Sequence, residues 1–320
     1  MTRTKPNIFK TLGIFILLII LVVAMTILVH FRTTSEFITV ANMINIGRQC
    51  SVYALLAFGM TFVVISGGID LSCSSILVLS GCVAALLMKN LEMNIWLASL
   101  IAVVVGGVCG LINGFCIAKL RVPFFIATIG MMYAARGLAN LITKETPVTG
   151  LPTEFNIFGS STTGLIPNQI IIMVIVLIIC FIVLKHTRLG RYTYAIGSNR
   201  LAAKQSGVNV DKYTMLIYTI CGVTAGIAGV IQSSRLRIGS PIIAQGWEMS
   251  AIAAVVIGGA SMMGGSGNII FSLVGALVLS VISTGLNMLR ISTTTQSIIV
   301  GVIIVAVVAI DMATTKKNRD

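Results

Sequence analysis

The sequence predicts an all-α membrane protein, a polytopic bundle of about ten transmembrane helices with both termini cytoplasmic. Three observations carry this. Of 320 residues, 57% are hydrophobic and only 10% charged, and the mean hydropathy is +1.03, a composition foreign to soluble domains. Apolar windows recur from end to end, and a bilayer core of about 30 Å needs roughly 20 such residues per helix. Finally, lysines and arginines collect at places that an even number of crossings puts on one side.

The windows follow in order. The first, 12–29, comes after a basic start at Arg3, Lys5 and Lys10. It is read as a retained span rather than a cleaved signal, because Phe31-Arg32-Thr33-Thr34 offers no small-residue cleavage pattern. Further spans are expected at 52–66, 76–88, 96–118, 124–142, 170–184, 215–231, 251–262, 269–286 and 297–312. The windows at 76–88 and 251–262 are short and flanked by glycine, the pattern of a broken or re-entrant helix buried in protein. The whole chain, 1–320, is read as one transmembrane domain. It has a cytoplasmic loop at 185–212 and an extracytoplasmic loop at 143–169, the latter shaped by Pro147, Pro152 and Pro167.

Orientation follows from four basic groups: the N-terminus, Lys119 with Arg121, the central Lys185, Arg188, Arg191, Arg200, Lys204 and Lys212, and the tail Lys316, Lys317 and Arg319. Positive residues near short loops stay cytoplasmic, so the net charge of +13 is a topological signal. Basic residues flank apolar spans, with no aromatic-basic platform beside them. Nucleic acid is therefore not an expected partner, whereas the lipid bilayer is. The seven cysteines mostly lie within apolar windows without CxxC pairing and read as buried packing residues. His30 and His186 make no ligand cluster. No metal, cofactor or catalytic constellation is expected. The glycine run 258–267 lacks the Gly-Lys-Ser/Thr ending of a phosphate loop. Glycines spaced by three or four, such as Gly106, Gly110, Gly114 and Gly222, Gly226, Gly229, suit close helix packing.

Four polar residues in apolar surroundings are candidates for a translocation pathway or for buried polar packing: Asp70, Asn113, Arg136 and Glu248. A desolvated acid needs a partner. Asp70 in Ser66-Gly67-Gly68-Ile69-Asp70-Leu71-Ser72 either caps the next helix, pairs with Arg136, or touches a solute. Glu248 heads an apolar helix, where the dipole favours an acid.

The central loop carries a legible two-turn helix. Asn199 is placed to cap its start and Gly207 to end it, with Leu201, Ala202 and Ala203 between. Adjacent alanines among charged residues form a low-relief patch that another protein can approach.

Ala202-Ala203-Lys204-Gln205-Ser206-Gly207 resembles the Glu-Ala-Ala-x-x-x-Gly loop of importer permeases, with Leu201 in place of the acid. A fuller similarity is to the ribose/xylose-type ABC transporter permeases. It runs through Ser66–Ser72, Asn113-Gly114, Val122–Gly130, Arg136-Gly137, Leu189-Gly190-Arg191, Tyr194–Asn199, Ser206–Val210 and Ala251–Gly259. Cys73 and Ser250 depart from it. The resemblance implies the non-catalytic transmembrane subunit of a bacterial inner-membrane sugar importer. It implies a homodimer, or a heterodimer with a sister permease, above ATP-binding cassette ATPase subunits, with an extracytoplasmic sugar-binding protein delivering the solute. Gly197, Asn199, Leu201, Ala202, Ala203 and Gly207 are then the ATPase-docking residues. An ion-coupled carrier using Asp70, an ABC permease for another small polar solute and a membrane scaffold are the alternative readings.

Overall fold

The computed structural model describes residues 8–305 except 293, 297, 300 and 304. In chain order the helices are α1 (Ile8–Arg32), α2 (Val40–Ile65), α3 (Cys73–Asn90), α4 (Ile95–Ala118), α5 (Phe124–Thr143), α6 (Asn168–His186), α7 (Arg188–Ser198), α8 (Arg200–Gln205), α9 (Val210–Leu236), α10 (Trp247–Ile257) and α11 (Ile269–Met288). A further apolar helix, α12, covers Thr294–Ile303. Their starts are chemically marked. The side chains of Thr39, Asn94, Asn199, Asn209 and Asn268 each accept a backbone N–H of the helix that follows, satisfying a donor that has no partner within the helix.

Eight of these helices are long and apolar enough to cross a membrane, and α10 and α12 are shorter apolar helices. Eight of the expected windows fall on these long helices, and 251–262 overlaps α10 only as far as Ile257. The last, 297–312, is described only in part, and the basic tail beyond it lies outside the described residues. At 11 residues, α10 rises only about 16 Å, short of a bilayer core, as its glycine flanks suggested. The other short window is longer than read: α3 has 18 residues and counts among the eight.

The core is built around α2 and α9. From Ser51 to Ile65 every residue of α2 is buried, whereas α1, α5 and α6 leave apolar flanks such as Ile19, Tyr133 and Ile179 exposed, as helices facing lipid would. Helix α9 packs on α4, α2 and α3. Its contact with α4 is made by glycines: a Cβ at Gly110 would strike the Tyr218 carbonyl, and one at Gly222 would strike that of Gly106. Without a hydrophobic drive between helices in lipid, close backbone approach of this kind supplies the dispersion contact.

Because α9 is 27 residues long, about 40 Å, its ends mark the two ends of the bundle. At the N-terminal end, Arg121 donates to Asp211 through its two terminal guanidinium nitrogens, at 3.1 and 3.3 Å, and Lys119 approaches the same carboxylate at 3.8 Å. The α4–α5 turn and the central loop therefore sit together, as the charge reading required. At the opposite end the 143–169 segment folds over the bundle. Val148 and Gly239 exchange backbone hydrogen bonds of 2.8 and 2.9 Å, Phe155 is buried in a 3-10 turn (Thr153–Phe158), and a short hairpin pairs Thr163 with Ile166.

Candidate functional site: an exposed helix joined to two broken spans

Sequence reasoning placed one helix in the central loop, and the structure has two. Thr187 caps α7, which lays Gly190, Thr193 and Ile196 inward. The spacing of those three was a readable amphipathic signal. Asn199 then caps α8 by accepting the Ala202 N–H at 2.9 Å. Gly207, at φ +81°, lets the chain reverse, its N–H donating to the Lys204 carbonyl. A residue with a Cβ is strained there, so glycine is the fitting C′ residue. Leu201 is 67% exposed and Ala202 is exposed beside it. Ala203 is not part of that face. It is 6% exposed and packs on Ile196 and Val210, so the expected two-alanine patch has one alanine outside and one inside. Successive helical residues point about 100° apart, which is why adjacent alanines divide in this way.

Gly197 does not lie on the exposed face either. It is wedged where α7 meets the bundle, so close that a Cβ would strike the Ile65 carbonyl and lie 2.6 Å from the Gly265 nitrogen. Gly265 N–H itself donates to the Ile65 carbonyl at 2.8 Å. Tyr194, one turn earlier on α7, donates its hydroxyl to the Gly267 carbonyl at 2.8 Å. Burial pushes the Tyr194 phenol above its ordinary value, so it stays a donor through the physiological range. The helix pair is thereby fastened to two places where the spans are interrupted: the end of α2, and the 258–268 segment between α10 and α11.

Those interruptions hold the buried polar residues. Asp70 is fully buried between α2 and α3. Its Oδ1 accepts the Ser72 N–H at 2.8 Å and the Ser72 hydroxyl at 2.5 Å, and Asn113 from α4 donates to the Ser72 hydroxyl oxygen at 2.9 Å. Asp70 therefore fixes Ser72, the residue ahead of α3, rather than capping that helix, whose start has no side-chain cap hydrogen bond, and Ser72 joins it to Asn113. The expected partner is a correction: Arg136 makes no ion pair with Asp70. It donates instead to the carbonyls of Pro241 at 2.9 Å and Ile243 at 2.7 Å, holding the segment between α9 and α10. Glu248 lies in the first turn of α10, as the dipole favours, and accepts the hydroxyl of Ser74 from the first turn of α3. The starts of α3 and α10 are thus hydrogen-bonded to each other, and polar contacts link α4 to the start of α3 and the start of α3 to α10. All seven cysteines are free. Cys73 and Cys221, both fully enclosed, pack in the core around this region.

Residues 42–308 match the family described as branched-chain amino acid transport system / permease component. Among similar proteins, the ribose import permease protein RbsC of Escherichia coli is 39% identical over 312 residues, covering 96% of this chain and 95% of that protein. The ribose import permease protein RbsC of Haemophilus influenzae is 40% identical, covering 95% and 94%. The D-allose transport system permease protein AlsC of Escherichia coli is 38% identical, covering 88% and 86%. No solved structure matches the chain. With the family spanning 42–308, the matched proteins aligned almost end to end, and eight helices able to cross a membrane, this chain belongs to the permease-component family of transport systems and is a multi-pass membrane protein.

Proposed function

We propose that this chain is the transmembrane subunit of an ABC importer for a monosaccharide. The single observation that carries the reading is similarity at about 40% identity along almost the whole chain to ribose import permeases. The family description names branched-chain amino acids, but individual relatives similar along almost the whole chain are named for ribose and allose, and these support a sugar as the solute class. The subunit itself performs no chemistry. An ATP-binding cassette ATPase docks on α8 through Leu201 and Ala202, while Ala203, Asn199, Gly207 and Gly197 shape and seat that helix. Movement of α8 passes through α7 to Ile65 and Gly265, and so to the starts of α3 and α10. Binding alone drives nothing. The free energy comes from unequal engagement of two permease states by the nucleotide-bound partner.

Two copies, or one copy with a sister permease, form the pathway. The 185–212 stretch then faces the cytoplasm, and the 143–169 segment faces a sugar-binding protein on the other side. Support for this polarity is the basic content of the α8 end, where Lys119, Arg121, Arg200 and Lys204 gather.

A second reading, an ion-coupled carrier, has one observation in its favour: Asp70 Oδ2 is buried with no hydrogen-bond partner. The two are separated by pulling down the ATPase with the permease. Leu201→Lys and Ala202→Glu each place a bulky charge on the exposed face of α8 and leave Ala203 in its seat. The ATPase is expected to be lost from both variants while the permease inserts normally. An intact complex in both would overturn the docking assignment.

A further inference from the structure

Beside the start of α10 lies a cavity of about 600 Å³ that none of the contacts above uses. Its size is within the roughly 300–1,000 Å³ usual for small-molecule sites. Helices α2, α10, α11 and α12 contribute to it. Tyr53 and Trp247 meet edge to face on its wall, ring centroids 5.2 Å apart at 76°. Amides and hydroxyls supply the rest of the polar lining, among them Gln49, Gln245, Asn287 and Gln296. Two of the amides are already oriented: Arg235 donates to Gln49 Oε1 at 3.2 Å, and Gln296 donates to Asn287 Oδ1 at 2.8 Å. That leaves the Gln49 and Asn287 NH₂ groups as donors. Among the described residues, no lining residue is charged. Glu248 sits between two lining residues, Trp247 and Met249, yet its carboxylate is engaged by Ser74.

From this we infer that the cavity is a binding station for a neutral monosaccharide inside the permease, with Trp247 as the stacking platform and Gln49 and Asn287 as hydroxyl readers. The chemistry selects the class. A sugar presents an apolar C–H face suited to an aromatic ring and a rim of hydroxyls suited to amides, with no net charge. A zwitterionic amino acid carries two charges, each of which would need a partner on leaving water, and the lining offers none. A hydrophobic solute would strand the oriented amides unpaired. The position fits passage: the station adjoins Trp247 at the start of the broken span α10, whose other end leads into the segment held by Tyr194 and Gly197.

This inference rests on the importer reading, and the test separates the two. The full chain in lipid nanodiscs, carrying Trp96→Phe so that Trp247 is the sole tryptophan, is titrated with D-ribose and with L-leucine. Uptake is measured in parallel in proteoliposomes with the ATPase and binding protein. D-ribose is expected to change Trp247 emission saturably and L-leucine to leave it unchanged. Trp247→Ala and Asn287→Ala are each expected to lower ribose uptake about tenfold or more, with ATPase co-purification intact and with Trp247→Tyr retaining most of the rate. If the wild-type complex imports ribose while both alanine variants keep its rate, or if leucine alone perturbs Trp247, the station is overturned and the importer reading stands. If the wild-type complex imports no sugar, both fall.

Discussion

The Gly265 amide hydrogen-bonds the Ile65 carbonyl at 2.8 Å, tying the buried C-terminal half of α2 to the segment behind the half-length α10. Gly197 of α7 fills the remaining space at that joint. An exposed two-turn helix therefore has a short covalent and hydrogen-bonded route to both interruptions in the bundle.

At Gly197 a methyl group would meet backbone atoms on both sides, and neither can swing away as a flexible side chain would. Gly197→Ala is expected to cost about 1–3 kcal/mol or to push α7 off the joint. Uptake should fall severalfold while the ATPase still co-purifies, because the Leu201 face is untouched. Transport and thermal midpoint equal to wild type would show that the joint is loose.

Asp70 contributes chiefly an acceptor for Ser72. Asp70→Asn keeps a carbonyl oxygen at that place and is expected to assemble with nearly wild-type stability. Asp70→Ala removes it and should cost about 1–3 kcal/mol, the range for leaving a buried polar partner unpaired. Thermal unfolding of the purified proteins distinguishes them. If Asp70→Asn assembles fully but transports nothing, the charge itself is needed and the ion-coupled reading gains.

Arg136 donates through one nitrogen to two carbonyls ahead of α10. Hydrogen bonds from charged groups contribute about 1.5–3 kcal/mol each, so Arg136→Met should loosen the 237–246 segment. Faster protease cleavage there, with the rest of the chain unchanged, is the expected result. Equal cleavage rates would place the segment's restraint elsewhere.

Most spans were legible because lipid imposes a long apolar stretch on every crossing. What hydropathy could not find was polar helix. The first half of α2 carries Asn42, Asn45, Arg48 and Gln49, and its start at Val40 lies well before the apolar window at 52. Helix α7 escapes a hydropathy reading for the same reason, since Arg188 and Arg191 lower its mean, although the spacing of Gly190, Thr193 and Ile196 marks its inward face. The α8 ends were readable from Asn199 and Gly207, since caps are local chemistry. The division of Ala202 from Ala203 needed the helix's seat on Ile196 and Val210, which only the fold supplies. Charge matching pairs Asp70 with Arg136, whereas in the structure Asp70 accepts from Ser72 and Arg136 donates to the carbonyls of Pro241 and Ile243.

The central claim is that sugar movement through this chain is powered by an ATPase acting on α8. Its most direct test is accumulation of labelled D-ribose in proteoliposomes containing the permease, the ATPase and the binding protein. Accumulation is predicted to require ATP and to disappear with Ala202→Glu, with no response to an imposed proton gradient. Gradient-driven accumulation in the absence of the ATPase would contradict it.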